Sequence, residues 1–299
     1  MHLDDTTIKK LELQANAIRE SIITMLLAAG SGHTAGPLGM ADIFTALYFY
    51  ILKHDPKQPH WPDRDRVILS NGHICPVLYA SMAHAGYFPI AELVTLRKFG
   101  SRLQGHPHRD FLPALETSSG PLGSGLSQAV GMAIADRMNA AIDRKKNGDD
   151  ASAVVSHFFF CLLGDGELNE GNNWEAVLVA GRERLGNLIA IVDRNNIQID
   201  GYTENVLPLE DLRAKWEAFN WHVLEIDGHS FTDIVAAVDQ AKAIFDKPSV
   251  IIAHTIPGKG VVEFERKFEW HGKPPNAVEA KMALTELRTL QGRIQSEHQ

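Results

Sequence analysis

From residue 157 onward, short continuous apolar runs alternate with segments whose apolar positions recur at helical spacing. A short continuous apolar run is typical of a strand that is covered by helices on both faces. Strands are predicted in this way at residues 157–163, 188–192, 221–226 and 249–254, and helices at residues 172–184 and 231–245. The alternation predicts an α/β fold, in which a parallel sheet carries helices on both faces.

The part of the chain before residue 157 is predicted to be mainly helical. An amphipathic helix opens it, because apolar residues recur at helical spacing from Ile8 to Met25 and Gly30 then ends the pattern. Helices are also predicted at residues 39–51 and 126–141, and a short strand at residues 66–70. Residues 110–125 are rich in Ser, Gly and Pro and predict a loop. A polar turn is predicted at residues 147–150, and a polar helix at residues 277–299.

Composition and charge narrow the classes of protein to consider. The chain has 299 residues, of which 44% are hydrophobic, and this is enough to bury a substantial core. The net charge is −8 and no basic stripe is present, so we do not expect nucleic-acid binding. The apolar runs are too short to span a bilayer, and residues 1–10 lack the apolar core of a signal peptide. Cys75 and Cys161 show no metal-type spacing, and we expect thiols in a cytoplasmic protein.

Two polar motifs stand directly after predicted strands. Gly164-Asp165-Gly166 follows the strand at residues 157–163, and Asn195-Asn196 follows the strand at residues 188–192. Ligands of open parallel sheets bind beyond the carboxyl ends of the strands, so the Asp165 and Asn195 side chains converge if the strands are neighbours. Both offer oxygen atoms, which Mg²⁺ prefers as ligands. A metal there would offset the charge of a diphosphate, and the two glycines would let the backbone approach it closely.

Gly-Asp-Gly alone is also an ordinary turn, but the pair of motifs at this spacing resembles the signature of thiamine diphosphate enzymes. The surrounding sequence resembles transketolase. That resemblance includes Trp174-Glu-Ala176, Asp193-Arg-Asn-Asn-Ile-Gln-Ile-Asp-Gly201, Ser31-Gly-His33, Pro37-Leu-Gly-Met-Ala-Asp42, Asp65-Arg-Val-Ile-Leu-Ser-Asn-Gly-His73, Gly105-His-Pro107, Gly120-Pro-Leu122 and Glu269-Trp-His-Gly272. It covers about residues 8–275 with its motifs in order, and it implies that residues 1–299 form a single diphosphate-binding domain.

The resemblance implies roles in binding a cofactor, a metal and a sugar. The metal, Mg²⁺ or Ca²⁺, would be held by Asp165, Asn195 and the backbone carbonyl of Ile197. Thiamine diphosphate would lie against Gly164, Gly166, His73, His271, Gly120, Pro121 and Leu122. The sugar or sugar-phosphate substrate would face His33, His106 and His271, whose imidazoles can donate hydrogen bonds and carry a proton near neutral pH. Glu170 would join a carboxylate relay between the two cofactors of a dimer.

Some of these residues have plainer interpretations. The chain holds 14 histidines, and a histidine without a motif is usually a surface or core residue. Of the histidines His33, His73, His106 and His271, His106 has the shortest motif around it. Glu170 could instead be an acidic residue in the first turn of a helix, where it interacts favourably with the helix dipole. The sequence also departs from the family, because Thr34-Ala35-Gly36 follows His33 where transketolases have Pro-Gly. We expect that departure to affect the specificity for the sugar and not the binding of the cofactor.

The resemblance also implies that the pyrimidine-binding domain of the enzyme is not among residues 1–299. In transketolase, a glutamate that activates the cofactor lies on a pyrimidine-binding domain that follows the diphosphate-binding domain. We therefore expect a second, C-terminal subunit that carries the pyrimidine and C-terminal domains, in an α2β2 assembly, and the alternative is a fragment of a longer chain.

Four other functions compete with this one. They are the alpha subunit of a 2-oxo acid dehydrogenase, a relative of deoxyxylulose phosphate synthase, a non-catalytic cofactor-binding homologue and a nicotinamide-binding domain. Gly123-Ser-Gly125 argues against the last, because it lacks the third glycine of that fingerprint and follows no predicted strand.

Overall fold

The computed structural model describes residues 3–112, 114–147 and 157–297. Its strands are β1 (Arg66–Leu69), β2 (Phe159–Gly164), β3 (Leu188–Arg194), β4 (Ile197–Gln198), β5 (Gly201–Tyr202), β6 (His222–Asp227) and β7 (Ser249–His254). Its α-helices are α1 (Asp5–Ala29), α2 (Ala35–Gly39), α3 (Ala41–Ala46), α4 (Cys75–His84), α5 (Gly125–Asn147), α6 (Gly171–Glu183), α7 (Thr203–Val206), α8 (Leu212–Ala218), α9 (Phe231–Lys242) and α10 (Ala277–Glu297).

Five strands form a parallel sheet in the order β1-β2-β3-β7-β6, while β4 and β5 pair as a small antiparallel hairpin. β2 and β3 are direct neighbours, and Gly164 is in register with Asp193. The carboxyl ends of β1, β2 and β3 therefore lie side by side. This is the edge where a ligand site is expected in an open parallel sheet.

The sheet separates two apolar cores, because successive residues of a strand point to opposite faces. In β2, Phe160 and Leu162 belong to the core shared with α1, α3, α4, α9 and α10. Phe159, Cys161 and Leu163 belong to the core shared with α5, α6 and α8. Each fully buried aliphatic side chain contributes about 1.5–3 kcal/mol. The predicted α/β architecture, with helices on both faces of a parallel sheet, is confirmed.

The ends of α1 show how local sequence sets an element. Asp4 caps its start by accepting a hydrogen bond of 2.7 Å from the Thr7 N–H, and so satisfies one of the N–H groups that lack a partner within the helix. Gly30 ends it in the left-handed conformation, at φ 62°, and its N–H bonds the Leu26 carbonyl. The opening helix predicted from periodicity is confirmed, including its end at Gly30, and α1 begins at Asp5, before the first predicted apolar position at Ile8.

Several boundaries differ from the sequence-based prediction. The single helix predicted at residues 39–51 is divided into α3 and a π-helical turn at Leu47–Ile51, and the helix predicted at 231–245 ends at Lys242. The helix predicted at 126–141 continues to Asn147. α4 was not predicted, because residues 75–83 are buried on every side and show no polar face. Parts of the predicted turn at 147–150 and helix at 277–299, residues 148–150 and 298–299, lie outside the described residues.

A helix that spans a bilayer must be both long and apolar. Among the described residues, no helix meets both requirements.

Candidate functional site

A cleft lies at the carboxyl edge of β1, β2 and β3. Its lining residues are His33, Asn71, His73, His106, Gly120, Leu122, Gly164, Asp165, Gly166, Glu167, Asp193, Asn195, Ile197, Gln198, Ile199, Asp200 and His271. The structure thus brings together residues that are far apart in the sequence. Of the residues predicted to form the site, all except Pro121 and Glu170 line this cleft.

Asp165 lies at the floor of the cleft and is 1% exposed. One carboxylate oxygen accepts the Gly166 N–H at 2.7 Å, and the other accepts the Asn196 N–H at 2.7 Å and Arg194 Nη1 at 3.1 Å. Burial raises the pKa of Asp165 to about 6, even though these donors and the Arg194 charge act to lower it. The side chain is fixed in position, and its charge is only partly compensated.

Asp193 and Asn195 stand beside Asp165 at the end of β3. Asp193 is 1% exposed; it accepts hydrogen bonds from the Thr255 hydroxyl and, at 2.8 Å, from Asn195 Nδ2. Burial, together with the charge of Asp165, raises the pKa of Asp193 to about 7. The Asn195 Oδ1 atom accepts the Ile197 N–H at 3.0 Å, so the amide oxygen is directed toward the turn that holds the Ile197 carbonyl.

These residues fit a hard divalent cation. Asp165, Asn195 and Ile197 offer a carboxylate, an amide oxygen and a carbonyl, and all three residues line the cleft. Burial raises the pKa of the Asp165 and Asp193 carboxyl groups, and a cation bound beside them would favour their charged forms. Within the described parts of the chain, no group of three or more His, Cys, Asp or Glu side chains converges as a metal site. The candidate set therefore depends on an amide and a backbone oxygen and not on several acids.

Three histidines in the lining of the cleft form a compact group. The ring centroids of His33 and His73 are 4.9 Å apart, those of His73 and His271 5.2 Å, and those of His33 and His271 5.5 Å. Burial lowers the pKa of His33 and of His271 to about 4, and it holds the pKa of His73 well below its usual value. The three imidazoles are therefore neutral near pH 7, and each can donate one hydrogen bond and accept another.

His106 lies in the cleft lining beside the loop that contains Gly120. A Cβ atom on Gly120, where φ is 152°, would lie 3.9 Å from the His106 ring. Burial also lowers the pKa of His106, which is less enclosed than the other three histidines. The motif with the least sequence support thus places its histidine in the same cleft as the others.

Glu167 joins the segments around the cleft and was not predicted as a site residue. Its buried carboxylate accepts hydrogen bonds from the Ser70 hydroxyl, from the Gly123 N–H at 2.8 Å and from the Gly164 N–H at 3.0 Å. Burial raises the pKa of Glu167, and the three donors act to lower it. One side chain therefore connects the end of β1, the loop before α5 and the end of β2.

The two predicted residues outside the lining differ in position. Pro121 is exposed on the loop beside Gly120 and Leu122. Glu170 is exposed at the start of α6, where its side chain makes no capping hydrogen bond. Neither contributes to the cleft within this chain.

Other lining or supporting residues were missed by sequence reasoning. These are Asn71, Glu167, Asp193, Arg194 and Gln198. Asp193 and Gln198 flank the Asn-Asn motif, so their proximity to it was an available signal. Arg194 is buried and bonds Asp165, Glu204 and Glu210, which the sequence alone does not indicate.

Comparison with known proteins identifies the family. A family model described as "Transketolase, thiamine diphosphate binding domain" matches residues 11–289. The chain belongs to the transketolase family. Its cleft therefore lies in the thiamine diphosphate-binding domain of that family.

Curated members of the transketolase family fall into two length classes. A 6-deoxy-6-sulfo-D-fructose transketolase subunit of Clostridium sp. is 43% identical over 93% of this chain and 96% of its own length. An apulose-4-phosphate transketolase subunit of Phocaeicola vulgatus is 38% identical over 94% of each. Transketolase 2 of Escherichia coli is 42% identical, and the match covers 91% of this chain but 40% of the relative.

Solved transketolases share the fold. Transketolase from Leishmania mexicana superposes with a TM-score of 0.84 at 32% identity, over 96% of this chain and 45% of that one. A Pichia stipitis transketolase in complex with sedoheptulose 7-phosphate superposes with a TM-score of 0.85 at 33% identity, over 97% of this chain. The chain spans less than half the length of these solved transketolases.

Proposed function

We propose that the chain is the diphosphate-binding subunit of a thiamine diphosphate-dependent transketolase. With a separate C-terminal subunit, it transfers a two-carbon ketol unit from a ketose to an aldose. The observation that carries the proposal is the match to two relatives named as transketolase subunits, of which 96% and 94% of the length is covered. The family assignment favours this function over the alpha subunit of a 2-oxo acid dehydrogenase.

Different residues of the cleft would bind the metal ion and the diphosphate of the cofactor. Asp165, Asn195 and the Ile197 carbonyl would hold Mg²⁺ or Ca²⁺ against the diphosphate, and Gly166, His73 and His271 would contact it. Gly120 and Leu122, which line the cleft, would lie along the cofactor, with Pro121 between them on the exposed side of the loop. When bound, thiamine diphosphate supplies the nucleophilic carbon of ketol transfer. The carboxylate and amide oxygens of the cleft support this arrangement.

The histidines orient the sugar. Neutral imidazoles at His33, His106 and His271 can donate to carbonyl or hydroxyl oxygens of a ketose and can move a proton between them. Their lowered pKa values keep one ring nitrogen available as an acceptor near neutral pH. We propose a ketose and an aldose that carry an anionic group, as the sulfonate and phosphate in the names of the two subunit relatives suggest.

The second subunit supplies the pyrimidine-binding domain and its activating glutamate, in an α2β2 assembly. The exposed position of Glu170, at the start of α6 and outside the cleft, supports a role across an interface with another chain. Glu170 then joins the carboxylate relay between two cofactors. A cytoplasmic location stays a prediction.

Calorimetric titration of the assembled complex with thiamine diphosphate and Mg²⁺ tests the metal site. We expect Asp165→Ala to abolish Mg²⁺-dependent cofactor binding, because it removes a charged ligand from the cation. Exposed Asp233→Ala, on α9, is the control and leaves binding unchanged. Binding by Asp165→Ala with unaltered affinity and metal dependence would show that the metal site is assigned to the wrong residue.

A further inference from the structure

Several buried side-chain atoms of the cleft have no hydrogen-bond partner among the described residues. They are His33 Nδ1, His271 Nδ1, Gln198 Nε2, and both Nδ2 and Oδ1 of Asn71. Folded proteins leave few buried polar groups unpaired, because such a group loses its hydrogen bonds to water without replacement. Their occurrence together along one cleft indicates that a polar ligand completes their bonding.

Asn71 is the most extreme member of this set. It is 1% exposed, and neither its amide nitrogen nor its amide oxygen has a partner in the described part of the chain. Asn71 directly precedes the turn Gly72–Ile74, which contains His73. Its Nδ2 atom lies 3.7 Å from the position that a Cβ atom would take on Gly164. The amide therefore lies over the first residue of the Gly-Asp-Gly motif, at the end of the cleft that contains Asp165.

We infer that Asn71 is a binding residue for the diphosphate of the cofactor, an inference that rests on the proposed function. Asn71 Nδ2 donates a hydrogen bond to a diphosphate oxygen, beside the donor His73. A neutral amide suits this place because it can donate a hydrogen bond to an anion in a cleft that also contains the buried carboxyl groups of Asp165 and Asp193. The segment after β1 thus presents two donors, Asn71 and His73, to the same anion.

A structural role for Asn71 makes the opposite prediction. If its amide served the fold, replacement by an apolar residue of the same shape would break hydrogen bonds and lower stability. The amide makes none within the described residues, so Asn71→Leu removes two unpaired polar atoms and does not lower the unfolding temperature of the cofactor-free protein. The ligand role predicts instead that the cost of Asn71→Leu appears only in ligand binding.

The experiment is calorimetric titration of the full chain, alone and with its partner subunit, using Mg²⁺ with thiamine diphosphate and Mg²⁺ with inorganic pyrophosphate. We expect Asn71→Leu to weaken both probes about ten-fold, equivalent to about 1.4 kcal/mol. Asn71→Asp keeps the shape of the side chain but adds a negative charge, and it weakens both probes further. Ser81→Ala, on α4 and outside the cleft lining, removes a buried hydroxyl that also lacks a partner among the described residues, and it leaves both affinities within about two-fold.

The outcomes distinguish a failure of the role inferred for Asn71 from a failure of the proposed function. Unchanged affinity of Asn71→Leu for both probes would overturn the role of Asn71 while leaving the proposed function in place. A lowered unfolding temperature with unchanged affinity would overturn it in favour of a structural role. If the wild-type complex bound neither probe, the proposed function itself would fail, and the role of Asn71 with it.

Discussion

Replacing Glu167 with alanine removes one buried carboxylate that three separate segments share. The Ser70 hydroxyl and the N–H groups of Gly123 and Gly164 all donate to it, across separations of 97, 44 and three residues along the chain. After the substitution, all three donors remain buried at the edge of the cleft. The loop before α5 would lose the bonds through which this carboxylate connects it to the ends of β1 and β2, and would keep the bond of 3.1 Å from the Gly125 N–H to the Ser70 hydroxyl.

The magnitude follows from two opposing effects. A hydrogen bond to a charged group contributes about 1.5–3 kcal/mol, and a buried donor left without a partner costs about 1–3 kcal/mol. Removing a carboxylate from an apolar environment offsets part of this loss, because burial disfavours its charged form and raises its pKa. We expect a net loss of about 3 kcal/mol of unfolding free energy for Glu167→Ala, and about half of that for Glu167→Gln, which keeps one acceptor oxygen.

Urea denaturation followed by circular dichroism measures this difference. Glu263→Ala is the matched control, because it removes an exposed carboxylate paired with Lys267 at 2.7 Å, and exposed ion pairs contribute about 0–1 kcal/mol. Cofactor affinity should fall with stability in Glu167→Ala, since the displaced loop borders the cleft. If Glu167→Ala were as stable as Glu263→Ala, the connecting role of this carboxylate would be refuted.

Three further predictions concern other parts of the structure. Gly125→Ala should lower the stability of the fold by about 2 kcal/mol, because its new Cβ atom would lie 2.6 Å from Ser70 Cα. Gly131→Ala in α5 meets open space and should raise the stability by about 0.5–1 kcal/mol. Thermal unfolding of the two variants measures both effects. Arg194→Met should lose about 3 kcal/mol in urea denaturation, because it leaves buried Asp165 without its cation. The pKa of His33 and of His271 is lowered to about 4, so the unfolded chain binds more protons between pH 4 and 6.5, and this part of the stability is lost as pH falls through that range. A His33→Asn, His271→Asn double variant should therefore become relatively more stable than wild type as pH falls from 6.5 to 4, by chemical denaturation at each pH; parallel curves would contradict the assignment.

The convergence of Asp165 and Asn195 could be predicted from the sequence, because each follows a buried strand and neighbouring parallel strands end at one edge. The same reasoning could not find Asn71 or Glu167. Their importance depends on which atoms lie opposite them after folding, and Glu167 meets Ser70 across 97 residues of chain. Periodicity also missed α4, since a helix buried on every side has no polar face to reveal it.

For the histidines, sequence motifs predicted the position of the side chains but not their protonation state. Motifs selected His33, His73, His106 and His271, and the structure gathers all four at one cleft. Their neutral state at pH 7 could not be read from the sequence, because it results from burial and from their closeness to one another. Glu170 remains a prediction, since its proposed role depends on a chain that is not part of this one.

If this chain carries half of a transketolase site, ketol transfer depends on the proposed C-terminal subunit, and an assay of the chain with and without that subunit measures this dependence. We expect no transfer by the chain alone, and transfer that requires both thiamine diphosphate and a divalent metal once the second subunit is present. Full ketol transfer by the chain alone would show that the site needs no second subunit.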